Sequence, residues 1–396
     1  MLSEGAGELV RVLRQMPPMT RTELGDSTGW ARTTVNSRLE ELLTAGLVRS
    51  AEPMNGARGR PASRFTLEPS RGALLVADVG ASSARLARAD LAGAVAEHES
   101  VPLWIGDGPD AVLGLICERL SRIRDAAPAP VWGVGISLPG PIDSREGRVV
   151  SPPIMTGWDG LAVPEVVEPA LGAPVLVEND SNAMAWGEHV TAEPPADELI
   201  FVKVGTGVGA GFVTGGRLVR GAHGAAGDLG HTRGEPPHGG EQPLCRCGKT
   251  GCVEAYAGAW AIERDLRAAG QDVGSTPEVL RLIAQGNPHA VRLVRDAGRV
   301  LGGALAHAVS LLNPAEIVVG GQVAAVAGEH LLSGIREHVA ARALPLATRD
   351  LRIRLSDRPH EAGITGMADA TSTWILGPSQ LAAALNRVGP PPAPPL

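Results

Sequence analysis

The chain has 396 residues, room for two or three domains, and its 44% hydrophobic and 20% charged content is ordinary for globular proteins. No run of about 18 apolar residues occurs, so no membrane span is expected. A net charge of −7 excludes a protein coated in nucleic acid over its whole surface, yet between Trp30 and Arg64 there are 6 Arg against 3 Glu. That local positive balance on an acidic body suits a small DNA-binding head.

Residues 8–15, ELVRVLRQ, read as a short amphipathic helix with Leu9, Val12 and Leu13 turned inward, ended by Pro17 and Pro18. Thr20 and Glu23 form a capping box that opens a second helix running to about Asp26, followed by a tight turn at Ser27-Thr28-Gly29. A third helix, ARTTVNSRLEELLTAG, puts Val35, Leu39 and Leu42 on one face and Arg32, Thr33 and Asn36 on the other, near its start; Gly46 stops it. Helix, turn and a polar, Arg-bearing second helix is the arrangement that carries side chains into a DNA major groove. Next, EPMNGARGRPASRFTL reads as two extended pieces around a Gly/Arg loop, a wing, whose Arg58 and Arg60 suit phosphates or a minor groove.

After a short linker at 68–72, ALLVADVGASSARLARADLAG is an apolar strand, a turn of small residues and a returning strand. LIFVKVGTGVGAGFVTGGRLV, from Leu199, aligns with it without a gap, Asp78 over Lys203 and Gly80 over Gly205. Two such units are what a duplicated actin-like, ribonuclease H-like α/β fold of two lobes requires. The backbone N–H groups of the paired turns, at Asp78, Gly80 and Ser82 and at Gly205, Thr206 and Gly207, can grip phosphates in the cleft between lobes. Residues 107–126 read as a helix and VWGVGISLPGPID as a buried strand with a Pro-Gly turn. PVLVENDSNAMAWGE is a buried strand ending in Glu178-Asn179-Asp180, polar residues at the carboxyl end where α/β sheets bind ligands; Asp180 or Ser181 would also cap the next helix.

Residues 227–254, GDLGHTRGEPPHGGEQPLCRCGKTGCVE, hold three of the four cysteines, Cys245, Cys247 and Cys252. A C-x-C pair, a Gly-rich turn and a third Cys make most of a tetrahedral zinc clamp. His231 is the best-placed fourth ligand, with His238 next and His223 third. A disulfide suits the stretch less well: Cys245 and Cys247 are too close to pair comfortably, an odd thiol remains, and with no secretory segment the chain is expected in a reducing cytosol. Cys117 reads as a buried small hydrophobe. Beyond the loop, Ala255–Ala269, Pro277–Gln285 and His289–Leu312 read as helices, AEIVVGGQVA and LRIRL as strands, Gly363–Ile375 as a helix returning to the first lobe, and GPPPAPPL as a frayed tail.

The pattern G-[DE]-x-G-H followed by C-x-C-G-x-x-G-C-x-E resembles the motif of the ROK proteins, a family of repressors and sugar kinases. The resemblance implies that His231 serves both zinc and sugar, and that Asp228 and Glu254 bind sugar hydroxyls. It also implies that Asn179 holds the sugar, that Asp180 is the general base in a kinase, that the loop at Gly157 lies near the sugar, and that Gly320-Gly321 approaches the adenine of ATP. The head resembles the winged helices of ROK repressors. The implied domains are a winged helix-turn-helix over 1–67, a first lobe over 73–190 plus 361–385, and a second lobe over 191–360 with the zinc loop at 231–252.

The sequence departs from the family's kinases at the first phosphate turn. There D-x-G-G-T-K is usual; here Asp78-Val79-Gly80-Ala81-Ser82-Ser83 adds a methyl group and loses the Lys charge. Asp228 stands where Glu is usual. Phosphoryl transfer depends on placement and electrostatics, whereas a sensor needs only the sugar half. The expectation is therefore a cytoplasmic, sugar-responsive transcriptional regulator, a homodimer or dimer of dimers whose partners are operator DNA and a sugar or sugar phosphate, with zinc as structural cofactor. The alternative is an ATP- and Mg-dependent sugar kinase with Asp180 as catalytic base.

Overall fold

The structure, a computed structural model, describes residues 5–51 and 63–389. Arg58 and Arg60 of the expected wing loop, and the Pro-rich end of the chain, lie outside the described residues.

The amino-terminal unit has helices α1 (Ala6–Gln15), α2 (Arg21–Thr28) and α3 (Arg32–Thr44) and strands β1 (Met19–Thr20), β2 (Val48–Ala51) and β3 (Arg64–Leu67), the strands forming one antiparallel sheet in the order β1-β3-β2. The expected capping box starts α2: Glu23 N–H donates to Thr20 Oγ1 at 3.2 Å, and Thr20 N–H donates to Glu23 Oε2 at 2.7 Å. Ser27 and Thr28, expected in a turn, continue the helix, with Thr28 Oγ1 donating to Leu24 O at 2.7 Å. Gly29, at φ +71°, then ends it in the left-handed region that glycine adopts most readily. Leu9, Val12, Leu13, Val35, Leu39 and Leu42 are all buried, as their spacing predicts.

The first lobe is built on β4 (Ala73–Val79), β5 (Ser83–Asp90), β6 (Val95–Pro102), α4 (Pro109–Asp125), β7 (Val131–Leu138), the small hairpin β8 (Ile142–Asp143) and β9 (Arg148–Val149), α5 (Val163–Leu171), β10 (Val175–Asn179) and α6 (Asp180–Thr191). Its sheet runs β6-β5-β4-β7-β10, with β4, β5 and β6 antiparallel and β4, β7 and β10 parallel.

The second lobe repeats that plan with β11 (Leu199–Val204), β12 (Val208–Thr214), β13 (Arg217–Leu218), α7 (Glu254–Ala257), α8 (Ala259–Ala268), α9 (Thr276–Ala284), α10 (Pro288–Leu312), β14 (Glu316–Gly320), α11 (Gln322–Ala327), α12 (Glu329–Arg342), α13 (Pro345–Thr348) and β15 (Arg352–Leu355). The sheet order β13-β12-β11-β14-β15 is the same, antiparallel on one side of β11 and parallel on the other. The internal sequence repeat is thus a duplicated topology. The single helix expected over 255–269 is two helices, broken at Gly258. Its extended backbone (ψ 149°) turns the chain beneath the second glycine turn, where Ala259 N–H donates to Gly205 O at 2.9 Å.

Helix α14 (Ala362–Ile375) returns to pack on β4 and β7, and α15 (Leu381–Val388) follows it. Against α6, α14 crosses backbone to backbone: a Cβ on Gly187 would sit 1.9 Å from Ala362 O, and one on Gly366 1.9 Å from Ala183 O. A single buried cluster runs from Leu9, Leu13 and Phe65 through Leu74 and Trp132 to Met367 and Leu381, so the amino-terminal unit and the first lobe share a core. Polar contacts reinforce it. Arg14 pairs with Asp369 and donates to Thr373 Oγ1 at 2.8 Å, while Trp186 Nε1 of α6 donates to the same Asp369 carboxylate at 2.9 Å. The segment 68–72, expected to be a plain linker, is packed as well: buried Arg71 donates to Ala45 O (3.1 Å) and Gly389 O (2.6 Å).

Candidate functional site: an inter-lobe cleft beside a metal knuckle

The matched glycine turns face each other across a cavity of ≈200 Å³. Asp78, Gly80, Asn179 and Asp180 line it from the first lobe; Gly205, Thr206, Gly207, Asp228, His231, Glu254 and Gly321 line it from the second. Three residues expected there do not line it. Ser82 is exposed beyond the turn while Ala81 and Ser83 line the cavity; Gly320 is buried against Phe201; and exposed Gly157 lies beyond Pro153 and Ile154, the residues of its loop that reach the cavity.

The cap of α6 is Asn179, not Asp180 or Ser181. Asn179 Oδ1 accepts from Ser181 N–H (2.9 Å) and Asn182 N–H (3.2 Å), and Nδ2 donates to Gly140 O at 3.0 Å. That leaves one amide N–H of Asn179 for a ligand. Because Asn179 holds the cap, Asp180 becomes the first helical residue, at the positive end of the helix dipole and 4% exposed. Both of its carboxylate oxygens have partners: Ser181 Oγ donates to Oδ1 at 3.1 Å, and Lys203 Nζ forms an ion pair with Oδ2.

Asp78, at the end of β4, accepts from Ser137 Oγ at 2.7 Å and lies 4.0 Å from Arg85 Nη1. Burial pushes its carboxyl up; the Ser137 hydrogen bond works against this, the Asp180 charge adds to it, and Lys203 and Arg85 partly offset it. Glu254, at the start of α7, is held through both oxygens, by Val208 N–H (3.0 Å) and Trp260 Nε1 (3.2 Å). Asp228 is exposed at the cavity wall, just before the turn that presents His231.

His231, Cys245, Cys247 and Cys252 come together, their ligand atoms all within 4.8 Å of one another. Cys245 Sγ lies 3.7 Å from His231 Nδ1 and Cys247 Sγ 3.7 Å from Cys252 Sγ. Four ligands around zinc at roughly 2.3 Å give sulfur–sulfur edges of about 3.8 Å, so donor set and spacing both fit that ion. His238 is elsewhere, 2.9 Å from Asp296 Oδ2, and exposed His223 is outside the cluster. Burial pushes the Cys252 thiol up to about 12, with the neighbouring thiols adding to the effect. Cys117 is half-buried rather than fully buried.

On α3, Arg32 and Thr33 are exposed in the first turn, whereas Asn36 is half-buried. Several cleft residues were missed from the sequence. Lys203 carried the clearest signal, since the repeat sets it over Asp78. Arg85, His360 and Trp260, which also line the cavity, stand outside any short motif.

The family model described as ROK family matches residues 75–373. The chain belongs to the ROK family. Its relatives within ROK include enzymes and regulators. The N-acetylmannosamine kinase of Citrobacter koseri is 30% identical over 298 residues, 74% of this chain and 97% of the kinase. The xylose repressor of Caldicellulosiruptor bescii is 27% identical over 248 residues, 62% of this chain and 61% of the repressor. A crystal structure of a ROK family transcriptional regulator, a homologue of the E. coli MLC protein, shares the fold with a TM-score of 0.80 at 27% identity, across 96% of this chain and 98% of its own. No described helix is long and apolar enough to cross a membrane.

Proposed function

We propose that the chain is a cytoplasmic, sugar-responsive transcriptional regulator, a ROK repressor of carbohydrate genes rather than a sugar kinase. The observation that carries this reading is the shared core. The helix-turn-helix unit is built onto the lobe that holds the cleft, and α6 and α14 run from the cleft to Asp369, where Arg14 of α1 binds. A sugar or sugar phosphate that closes the lobes through Asn179, Asp180, Asp228, His231 and Glu254 would move a unit with no loose tether to absorb the motion. A homodimer would present Arg32, Thr33 and Asn36, with Arg58 and Arg60 of the wing, to an inverted-repeat operator. Zinc on His231 and the three thiolates would stiffen the loop and keep the imidazole facing the sugar. Effector and operator would then be linked reciprocally, each altering the affinity of the other by one factor.

The kinase reading is favoured by one observation, the intact second turn at Gly205-Thr206-Gly207 on the cavity wall, where ATP and Mg would be expected together with Asp78, Gly80 and Gly321. Against it, the carboxylate a ROK kinase would use as general base is already paired with Lys203. Operator fragments selected from genomic DNA, titrated in gel shifts against a sugar and sugar-phosphate panel, test the regulator reading. Affinity should shift with one ligand class in the wild type and not in Asp180→Ala. A panel with no effect on DNA affinity, together with hexose-dependent ADP release, would reverse the assignment.

A further inference from the structure

The Trp260 indole lies between the metal knuckle and the cleft. Its Nε1 donates to Glu254 Oε1 at 3.2 Å, while Val208 N–H takes the other oxygen at 3.0 Å. Glu254 is 7% exposed, and a Cβ on Gly207 would come within 2.4 Å of Oε2, so its carboxylate has little room to swing. Two guanidinium groups pack on the ring, Arg246 at 4.8 Å from its centroid and Arg264 at 5.5 Å. Arg264 is held within the helical pair, donating to Ala255 O of α7 at 3.0 Å and to Asp265 of its own helix α8 at 2.7 Å. Arg246 is different, since it is the residue between Cys245 and Cys247. Two flanking ligands would fix its backbone whenever a metal is held. The ring also packs on the buried cluster of Cys245, Cys252 and Ala255.

We infer that Trp260 is a positioning residue: through it the metal-held loop sets the Glu254 carboxylate and so determines which sugar hydroxyl the cleft selects. The inference rests on the sugar-binding reading. A carboxylate held at both oxygens presents its remaining lone pairs in one direction, and a buried polar group built for one hydroxyl discriminates strongly against ligands lacking it. Without the metal, Arg246 leaves the ring, the indole N–H turns, and Glu254 accepts hydroxyls from more than one direction.

The test uses the full-length protein with Trp260→Phe, which keeps a ring for Arg246 but lacks the N–H, and Arg246→Gln, which leaves Trp260 in place. Binding of glucose and its monodeoxy analogues is measured calorimetrically, with zinc content recorded for each variant. Trp260→Phe should retain zinc and lose roughly ten- to hundredfold in glucose affinity. That loss should vanish for the one analogue missing the hydroxyl that Glu254 accepts from. An equal loss on every analogue, or none, overturns the inference. A readout without sugar separates it from the function itself. The Trp260 indole N–H resonance, identified by its absence in Trp260→Phe, should move on zinc chelation and in Arg246→Gln. An unmoved resonance sinks the Trp260 link even if sugars bind; a moved resonance in a protein that binds no sugar sinks the sugar reading instead.

Discussion

The contact between Arg14 and Asp369 carries the most exacting prediction. Arg14 is the last basic residue of α1, with an 8% exposed side chain; Asp369, at 20%, also accepts from Trp186 on the helix that begins at Asp180. Removing one partner of a fully buried pair costs about 3–5 kcal/mol because the other charge is left unmatched. Asp369 retains some solvent, so we set the cost of Asp369→Asn at about 2–3 kcal/mol. The cost falls first on docking of α1, because α6 and α14, which share Asp369, also hold each other backbone to backbone at Gly187 and Gly366. Amide exchange of α1 should therefore accelerate roughly 30- to 150-fold, at tenfold per 1.4 kcal/mol, while β4 and β11 remain protected. Arg14→Met should do the same, and the double variant should recover part of the loss, as expected for two groups that act on each other. Exchange of α1 at the wild-type rate in both single variants, or losses that simply add in the double, would refute the idea that this pair holds the head to the lobe.

Three further outcomes follow from the same geometry. Burial raises the Asp78 carboxyl, so whatever stability its protonated form contributes is complete below the ordinary carboxylate range and is lost as pH rises through the folded value. Asp78→Asn should melt above the wild type at neutral pH, with the gap closing in acid, as followed by scanning fluorimetry; a constant gap would contradict this. Chelating metal, or Cys247→Ser, should lower the melting temperature and abolish any sugar-induced thermal shift, because the clamp that holds His231 opens. Thr20→Ala should cost about 1 kcal/mol in equilibrium denaturation through loss of the α2 cap, and a neutral substitution would mean that Arg64, which also holds Glu23 at 2.9 Å, does that work alone.

Much of the fold was legible because its determinants are local. The capping box needs only Thr20 and Glu23, and the cluster of His231 with three cysteines is written within one short loop, so both could be read from spacing. The duplication was visible for a different reason: a strand, a glycine turn and a returning strand leave the same pattern twice, with Asp78 over Lys203 and Gly80 over Gly205. What spacing could not reveal is which side chains meet after the chain has folded back. Segment 68–72 has a linker's composition, yet Arg71 reaches Ala45 O and Gly389 O, the latter 318 residues away in sequence. Asn179 took the cap from Asp180 because the strand, which continues two residues past its apolar run, ends at Asn179 in register with Leu138 of β7 and the helix begins at the next residue.

Lys203 shows how the repeat could have been pressed further. Its alignment with Asp78 marks equivalent places in two turns, and equivalent positions in a duplicated fold approach the same axis from opposite sides. A carboxylate on one turn and an ammonium on the other are then brought to the same cleft, with Asp180 near both. An ammonium offers three donors and no acceptor, so pairing with Asp180 leaves Lys203 able to donate to a ligand oxygen while it occupies a carboxylate that a phosphoryl-transfer enzyme would use as a base. Binding is compatible with that arrangement and base catalysis is obstructed by it. If Lys203→Met leaves sugar-induced thermal shifts intact but produces hexose-dependent ADP release absent from the wild type, the lysine is what separates this chain from its kinase relatives. If the wild type already turns over at the rate of Lys203→Met, the ion pair has no bearing on the chemistry and the kinase reading gains.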